Sequence, residues 1–274
     1  MNTRFLRAIV RKDLLTMLQN RGVWLPIVIL PVILLVIMPL ALILAPTAVN
    51  VNMPGSMMQQ LDLFMRNMPD TLRQQVAGLT PQQTYVLLFT VYFFAPFFLI
   101  IPLMVSSVTA ADSFAGEKER KTLEALLYTP ASDTELFMGK VLTALAPALA
   151  VSWSSFILYG IVVNAAGAHI MGRLFFPTTM WLALILWVVP AAAALGLSVM
   201  VLVSTKVKSF QEANQIGGMV VLPILLLVFA QAGGLLYFSL PVALAVGAVL
   251  WVIDAVLIFF GIKTFARGEL IARL

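Results

Sequence analysis

Residues 112–140, DSFAGEKERKTLEALLYTPASDTELFMGK, carry ten of the 29 charged side chains of this 274-residue chain. Long apolar stretches flank the segment on both sides. The chain as a whole is 61% hydrophobic and 11% charged, with a mean hydropathy of +1.01. A water-soluble domain of this length carries more polar surface. The sequence therefore predicts an all-α polytopic membrane protein in which a charged loop joins two spans.

Six apolar stretches are long enough to cross the roughly 30 Å hydrocarbon core of a bilayer as helices of about 20 residues. They cover residues about 23–45, 85–108, 141–163, 177–203, 215–237 and 241–262. We interpret residues 1–274 as a single transmembrane domain. Its external segment, 46–84, is either a lid over an exit path or packing, and its charged loop is 109–140.

The basic residues are distributed unevenly between the two sides that these spans define. Fourteen of the 17 lie before the first span, in the 109–140 loop, between the fourth and fifth spans, or at the C-terminus. Such an excess marks the cytoplasmic side of a membrane protein. The sequence thus predicts a multi-pass protein of the cell (plasma or inner) membrane with both termini in the cytoplasm. The net charge of +5 follows from this topology and does not indicate nucleic-acid binding.

The segment before the first span has an amphipathic pattern. Apolar residues recur there at helical spacing: Phe5, Leu6, Ile9, Val10, Leu14, Met17 and Leu18. Basic residues fall mostly between them: Arg4, Arg7, Arg11 and Lys12. The pattern predicts a helix that lies in the cytoplasmic membrane interface, or a basic flank that orients the first span, and the two are compatible.

The charged loop has the pattern of a helix from Asp112 to Tyr128. Opposite charges stand four residues apart in Glu117 with Lys121 and in Arg120 with Glu124. Pairs at this spacing support a helix. Three leucines, at positions 123, 126 and 127, form its apolar edge.

A break and a second helix follow. A proline disfavours helical backbone at the residue before it, so Thr129-Pro130 ends the first helix. Ser132 and Glu135 have the spacing of a capping box, which begins a second helix that continues through Gly139 into the third span. The loop is thus predicted to form a helix, a break and a returning helix at the cytoplasmic surface.

At these residues the chain resembles permeases of the ABC-2 type, the membrane subunits of ATP-binding-cassette exporters, and in particular the sodium and drug export branch. Such permeases carry the pattern E-x-E-R-x-T-L-E-x-L-L-x-T-P-x-S-x-x-E-L-x-x-G-K. It is matched here by Glu117, Glu119, Arg120, Thr122, Leu123, Glu124, Leu126, Leu127, Thr129, Pro130, Ser132, Glu135, Leu136, Gly139 and Lys140. A second stretch, 204–218, contains the Lys-x-x-x-Glu-Ala pattern common before the fifth span of these permeases.

The resemblance implies that Glu117 to Pro130 is a coupling helix that docks into a cleft on a separate ATPase. The residues expected to couple the permease to the ATPase are Glu117, Glu119, Arg120, Thr122, Leu123, Glu124, Leu126, Leu127, Tyr128, Thr129 and Pro130. Many members have glycine where this chain has Lys121, so we expect a more helical turn before Thr122 here.

The resemblance also implies the partners and the cofactors. We expect two copies of the ATPase, and either a second copy of this permease or a similar permease, all assembled at the lipid bilayer. Gly139-Lys140 is followed by Val141 and lacks the upstream glycine of a phosphate-binding loop. We therefore expect no enzyme activity and no cofactor in this chain, with ATP and Mg²⁺ on the partner. With no cysteine and one histidine, the sequence predicts no metal site.

The implied substrate is a hydrophobic or amphipathic compound, such as a drug, lipid or peptide, that is moved out of the cell. Polar and aromatic residues of the second and third spans are the candidates for its path: Tyr92, Phe93, Phe97, Ser155 and Tyr159. The alternative for each of them is packing.

Two other functions stay open at this point. Asp254 is the only acid deep within a predicted span, where a charge costs roughly 3 kcal/mol or more. It is either the site of a sodium- or proton-coupled cation transporter or a structural acid between helices. The chain could instead be a membrane anchor for an ATPase that transports nothing. An intramembrane enzyme is disfavoured, because the spans offer no acid–base pair or metal set.

Overall fold

The computed structural model of the protein describes residues 3–48, 59, 62, 65, 68–122 and 133–264. Within these residues the chain forms helices and turns, with no strand. Helix α1 (Thr3–Gln19) precedes six helices that are long and apolar enough to cross a membrane. The all-α fold with six spans, predicted from the sequence, is therefore confirmed.

The six long helices and one short helix follow α1 along the chain. They are α2 (residues 21–48), α3 (Asp70–Val76), α4 (Pro81–Glu119), α5 (Asp133–Met171), α6 (Thr179–Ser204), α7 (Phe210–Ala232) and α8 (Leu240–Thr264). Helix α4 runs well past the end of the predicted span 85–108, and α5 begins before the predicted span 141–163. Both extensions carry residues of the charged loop beyond the apolar stretches.

Three of the long helices contain a π-helical segment shortly before a proline. The segments are Ile33–Ile37 before Pro39, Leu88–Phe93 before Pro96, and Leu184–Val188 before Pro190. A proline ring clashes with the carbonyl four residues earlier. In each helix that carbonyl belongs to the π segment, where the wider turn gives it room.

Helices α4 and α6 form the centre of the bundle. In their most apolar stretches 83% and 72% of the residues are buried, against 17–33% in the other four spans. They approach closely at Gly196, where an added Cβ would lie 2.6 Å from the carbonyl oxygen of Leu103. Helix α8 packs beside α6, with Gly247 against Trp187 and Gly261 against Val201.

The two ends of the bundle differ in chemistry. Lys12 of α1, Glu117 of α4 and Lys140 of α5 meet at one end, which we call the charged end. At the other, distal end, Gln83 at the start of α4 donates a 2.9 Å hydrogen bond to the carbonyl of Ile170 at the end of α5. The charged end holds the residues that the sequence singles out for coupling.

Candidate functional site

Glu117 is the centre of a buried ion cluster that joins three helices. Its side chain is 3% exposed, and its two carboxylate oxygens lie 2.5 Å from the Nζ atoms of Lys12 and Lys140. Lys140 is 1% exposed, whereas Lys12 reaches solvent. Because an unpaired charge at such depth costs several kcal/mol, the two ion pairs hold α1, α4 and α5 together at this point.

The other polar contacts of Lys140 and Lys12 complete the cluster. Lys140 also donates to the backbone carbonyl of Ser113, and its Nζ lies 5.1 Å from the centre of the Phe114 ring, a cation–π distance. Lys12 lies 3.3 Å from one carboxylate oxygen of Asp13, and the other carboxylate oxygen accepts a 3.2 Å hydrogen bond from the Ser113 hydroxyl. The buried ammonium group thus has hydrogen-bond partners in addition to its carboxylate.

Two ionisable side chains of α1 have pKa values above their usual range in this cluster. Burial lowers the pKa of Lys12, but the hydrogen bond and charge of Glu117 outweigh it, and the net effect raises the pKa. Burial raises the pKa of Asp13, an effect that the positive charge of Lys140 opposes. Lys12 therefore stays protonated and paired throughout the physiological pH range.

A second ion pair lies at the C-terminal end of α4. Arg120 folds back, and its Nη1 donates to a carboxylate oxygen of Asp112 at 3.0 Å. The same oxygen accepts a 3.3 Å hydrogen bond from the side chain of Asn20. Glu117 thus pairs with residues that are distant in sequence, and Arg120 pairs with Asp112, which lies earlier on the same helix. The expected pairing of Glu117 with Lys121 is wrong.

The predicted continuous helix from Asp112 to Tyr128 is also wrong, because α4 ends at Glu119. Arg120 and Lys121 form a turn, and Lys121 has φ +55°, in the left-handed region that favours glycine. We expected a more helical turn at Lys121 than in relatives with glycine there. The backbone instead adopts the conformation that glycine allows at low cost, and lysine occupies it under strain.

We predict that Lys121→Gly stabilises the protein by about 1 kcal/mol relative to Lys121→Ala, because alanine keeps the Cβ that disfavours positive φ. Both variants lose the same charge, so the alanine variant is the matched control. Thermal unfolding in detergent measures the difference. Equal unfolding temperatures for the two variants would contradict the assigned backbone conformation.

The end of α4 also contacts the chain between α6 and α7. A carboxylate oxygen of Glu119 accepts a 2.8 Å hydrogen bond from the backbone N–H of Phe210, the first residue of α7. Lys118 donates to the carbonyl of Val207 at 3.3 Å. A carboxylate at a helix N-terminus is favourable because the helix dipole is positive there. The two stretches that resemble ABC-2 permeases therefore meet at the charged end.

The ion cluster borders a cavity of about 210 Å³ that is lined in part by Lys12, Asp112, Glu117 and Arg120. Thr122 also lines it, is exposed, and donates from its hydroxyl to the carbonyl of Glu117 at 3.3 Å. Of the residues expected to couple, Glu117, Glu119, Arg120 and Thr122 are placed by the structure. The others lie outside the described residues: Leu123, Glu124, Leu126, Leu127, Tyr128, Thr129 and Pro130.

The candidate path residues do not form one surface. Phe93 and Phe97 are half-buried and belong to a row of rings on one face of α4, with centroids 5.6 Å apart. Tyr159 is fully buried, and its ring packs against Trp181 and Phe176 at 5.2 and 5.3 Å. Phe93 and Phe97 are therefore partly accessible, whereas Tyr159 belongs to a closely packed aromatic core.

The other two path candidates, Tyr92 and Ser155, are both buried. The hydroxyl of Tyr92 donates to the side chain of Gln75, near the end of α3. Ser155 lies on α5, one turn before Tyr159. In this conformation neither side chain is open to a substrate.

The π segment Leu88–Phe93 of α4 is a second polar centre, within the membrane-spanning part. Three consecutive carbonyls of this segment each accept a hydrogen bond from a different helix. The donors are Tyr159 of α5 to Thr90 at 2.5 Å, Trp181 of α6 to Val91 at 2.7 Å, and Gln231 of α7 to Tyr92 at 2.8 Å. We call Thr90, Val91 and Tyr92 the carbonyl acceptors.

Pro96 explains why side chains of other helices can donate to these carbonyls. Pro96 cannot donate to the carbonyl of Tyr92 and displaces it, and the wide turn weakens the bonds of its neighbours. A freed carbonyl inside a membrane must find another donor. Sequence reasoning missed Trp181 and Gln231 as donors. Each carries a side-chain N–H group within an apolar span, and that feature of the sequence could have identified them as donors.

Asp254 lies in α8 on the side that faces α6. It is seven residues from both Gly247 and Gly261, which pack on α6, and residues at this spacing share a helix face. Its side chain is 1% exposed, and neither carboxylate oxygen has a hydrogen-bond partner among the described residues. Within the same residues, no group of three or more His, Cys, Asp or Glu could hold a metal ion.

We predict that Asp254→Leu stabilises the protein by about 1 to 3 kcal/mol and leaves transport intact, because it removes a buried polar group that lacks a partner. Unfolding in mixed detergent micelles and a transport assay measure the two effects. Asp254→Asn, which keeps the shape and the polarity, is the control. Loss of transport in both variants without any gain in stability would favour a cation site.

A family model described as "ABC-2 family transporter protein" matches residues 7–262. No curated protein and no solved structure matches the chain. The matched region includes the Glu117 ion cluster, the carbonyl acceptors and Asp254.

Proposed function

Since this chain belongs to the ABC-2 family of transporter proteins, we propose that it is the membrane half of an ATP-driven exporter. The family makes it a multi-pass permease subunit without an ATP-binding site of its own and implies an ABC ATPase as partner. Beyond the family assignment, we propose the direction of transport, the class of substrate and the number of subunits. ATP and Mg²⁺ bind to the ATPase, and the charged end of the permease faces the cytoplasm.

The observation that carries this proposal is the position of Glu117. It stands on α4, three residues before the turn at Arg120 and Lys121, and its carboxylate ties that helix to α1 and α5. A force applied to the segment after Thr122 therefore acts on three helices together. A loop that only connected two spans would gain nothing from such a buried cluster.

Helix α4 can carry this displacement into the membrane. It runs from Glu119 back to Pro81, and at a rise of about 1.5 Å per residue the carbonyl acceptors lie roughly 40 Å from Glu117 along the axis. There, side chains of α5, α6 and α7 hold α4 by hydrogen bonds. ATP-driven closure of the ATPases moves α4 as a lever, and these bonds pass the movement to the other spans.

The substrate in this proposal is a hydrophobic or amphipathic compound. The half-buried rings of Phe93 and Phe97 on α4 support it, because aromatic faces bind such molecules without fixed polar geometry. Two copies of the permease, or one with a similar permease, complete the path with two ATPases. Exposed apolar faces on α7 and α8, at Leu226, Phe229 and Val252, are available to lipid or to the second permease.

Reconstitution tests the function. The permease is purified together with the ATPase that accompanies it from its native membrane, and both are placed in liposomes that contain a fluorescent lipophilic cation. We expect ATP-dependent movement of the dye with the complex and none with the permease alone. Dye movement by the permease alone, at the rate of the complex, would refute the proposal. ATP hydrolysis that no lipophilic compound stimulates would favour the membrane anchor.

A further inference from the structure

An open apolar groove lies on the outer side of α1 at the charged end. It has a volume of about 650 Å³ and runs between α1 and the first turns of α5. Leu14 and Leu18 line it from α1, and Leu142 and Ala146 line it from α5. Leu18 is 61% exposed and Leu142 is 45% exposed. Leucines this exposed, one on the amphipathic helix α1 and one on α5, are positioned to meet lipid.

Two arginines stand at the rim of this groove. Arg7 and Arg11 are one helical turn apart, both are exposed, and both line the groove. Among the described residues neither forms a salt bridge or a side-chain hydrogen bond, and no acidic side chain lines the groove. The other charged groups of this part of α1, Lys12 and Asp13, face Glu117 and Ser113 instead.

We propose that this groove is a binding site for an anionic phospholipid. The phosphate lies between the guanidinium groups of Arg7 and Arg11, which bind phosphate oxygens in pairs. One acyl chain lies along Leu14, Leu18 and Leu142. The positive charge without a nearby acid favours a lipid of net negative charge over a zwitterionic one, because nothing in the groove attracts a choline or ethanolamine group.

The bound lipid holds α1 against the bundle. Lys12, on the side of α1 that faces the bundle, reaches Glu117 only while α1 packs beside α5. Lipid binding on the outer side therefore stabilises the ion cluster on the inner side. The site itself depends on α1 and α5 alone, so it does not require that the ATPase or the substrate be assigned correctly.

Native mass spectrometry of the purified permease, with added phosphatidylglycerol or phosphatidylcholine, tests the site. We expect preferential binding of phosphatidylglycerol, and we expect the double variant Arg7→Gln/Arg11→Gln to weaken it roughly thirtyfold. The matched control is Lys206→Gln/Lys208→Gln, which removes the same charge from exposed residues at the same end. That control should keep the preference.

A third variant separates the groove from its charge. Ala146→Trp keeps both arginines but fills the groove, and we expect it to lose phosphatidylglycerol as the double arginine variant does. Glycerol phosphate, which has the phosphate but no acyl chain, should not compete. An unchanged preference in Arg7→Gln/Arg11→Gln would overturn the site, as would an equal loss in the lysine control. Competition by glycerol phosphate would indicate a soluble anion site and would also overturn it.

Discussion

Replacement of Glu117 by glutamine should destabilise the protein by about 3 kcal/mol or more, because it leaves the buried ammonium group of Lys140 without its counter-ion. Lys12 keeps Asp13 as a partner and is partly solvated, so most of the cost arises at Lys140. Unfolding of the purified protein in mixed detergent micelles gives the change in free energy.

Two variants control this prediction. Asp70→Asn makes the same chemical change in an exposed pair with Arg73 and should cost less than about 0.5 kcal/mol. The double variant Glu117→Gln/Lys140→Met removes both buried charges and should recover a large part of the lost stability. If the double variant is as unstable as the sum of its single variants, the two side chains do not interact as the structure shows.

Replacement of Gly196 by alanine should have the second large effect. The added Cβ would lie 2.6 Å from the carbonyl oxygen of Leu103 and would also collide with the Ser106 hydroxyl. A backbone atom cannot turn aside as a side chain does, so α4 and α6 must separate along the most buried contact of the bundle. We expect a loss of about 3 kcal/mol, at the upper end for overpacked cores.

Gly218 supplies the matched control. It lies in α7, and an added Cβ would meet no atom within 4 Å. Gly218→Ala should therefore be neutral or stabilise its helix by up to about 1 kcal/mol. Thermal unfolding of the two variants side by side measures the difference. A Gly196→Ala variant as stable as the wild type would show that α4 and α6 do not approach closely at this glycine.

The fold could be predicted from the sequence because a membrane span is defined by length and composition. Each apolar stretch satisfies most of its own backbone as a helix, so the six spans needed no knowledge of their neighbours. The amphipathic pattern before residue 20 similarly gave α1.

The site could be predicted only in outline. Spacing favoured Glu117 with Lys121, which is a local pair, whereas burial selected Lys12 and Lys140, which lie 105 and 23 residues away. The left-handed turn at Lys121 was not predictable either, since lysine has no local preference for it. The carbonyl acceptors depend on donors from three other helices, and the sequence of α4 does not reveal those donors.

We propose that the partner ATPase docks on the segment that follows Glu119. Site-specific photo-crosslinking in native membranes tests it most directly, with a benzophenone side chain at Thr122, which is exposed at the charged end, or at Leu174, which is 82% exposed beyond the distal end of α5. We predict a crosslink to an ABC ATPase from position 122 and none from position 174. An ATPase crosslinked from position 174 but not from position 122 would contradict the claim.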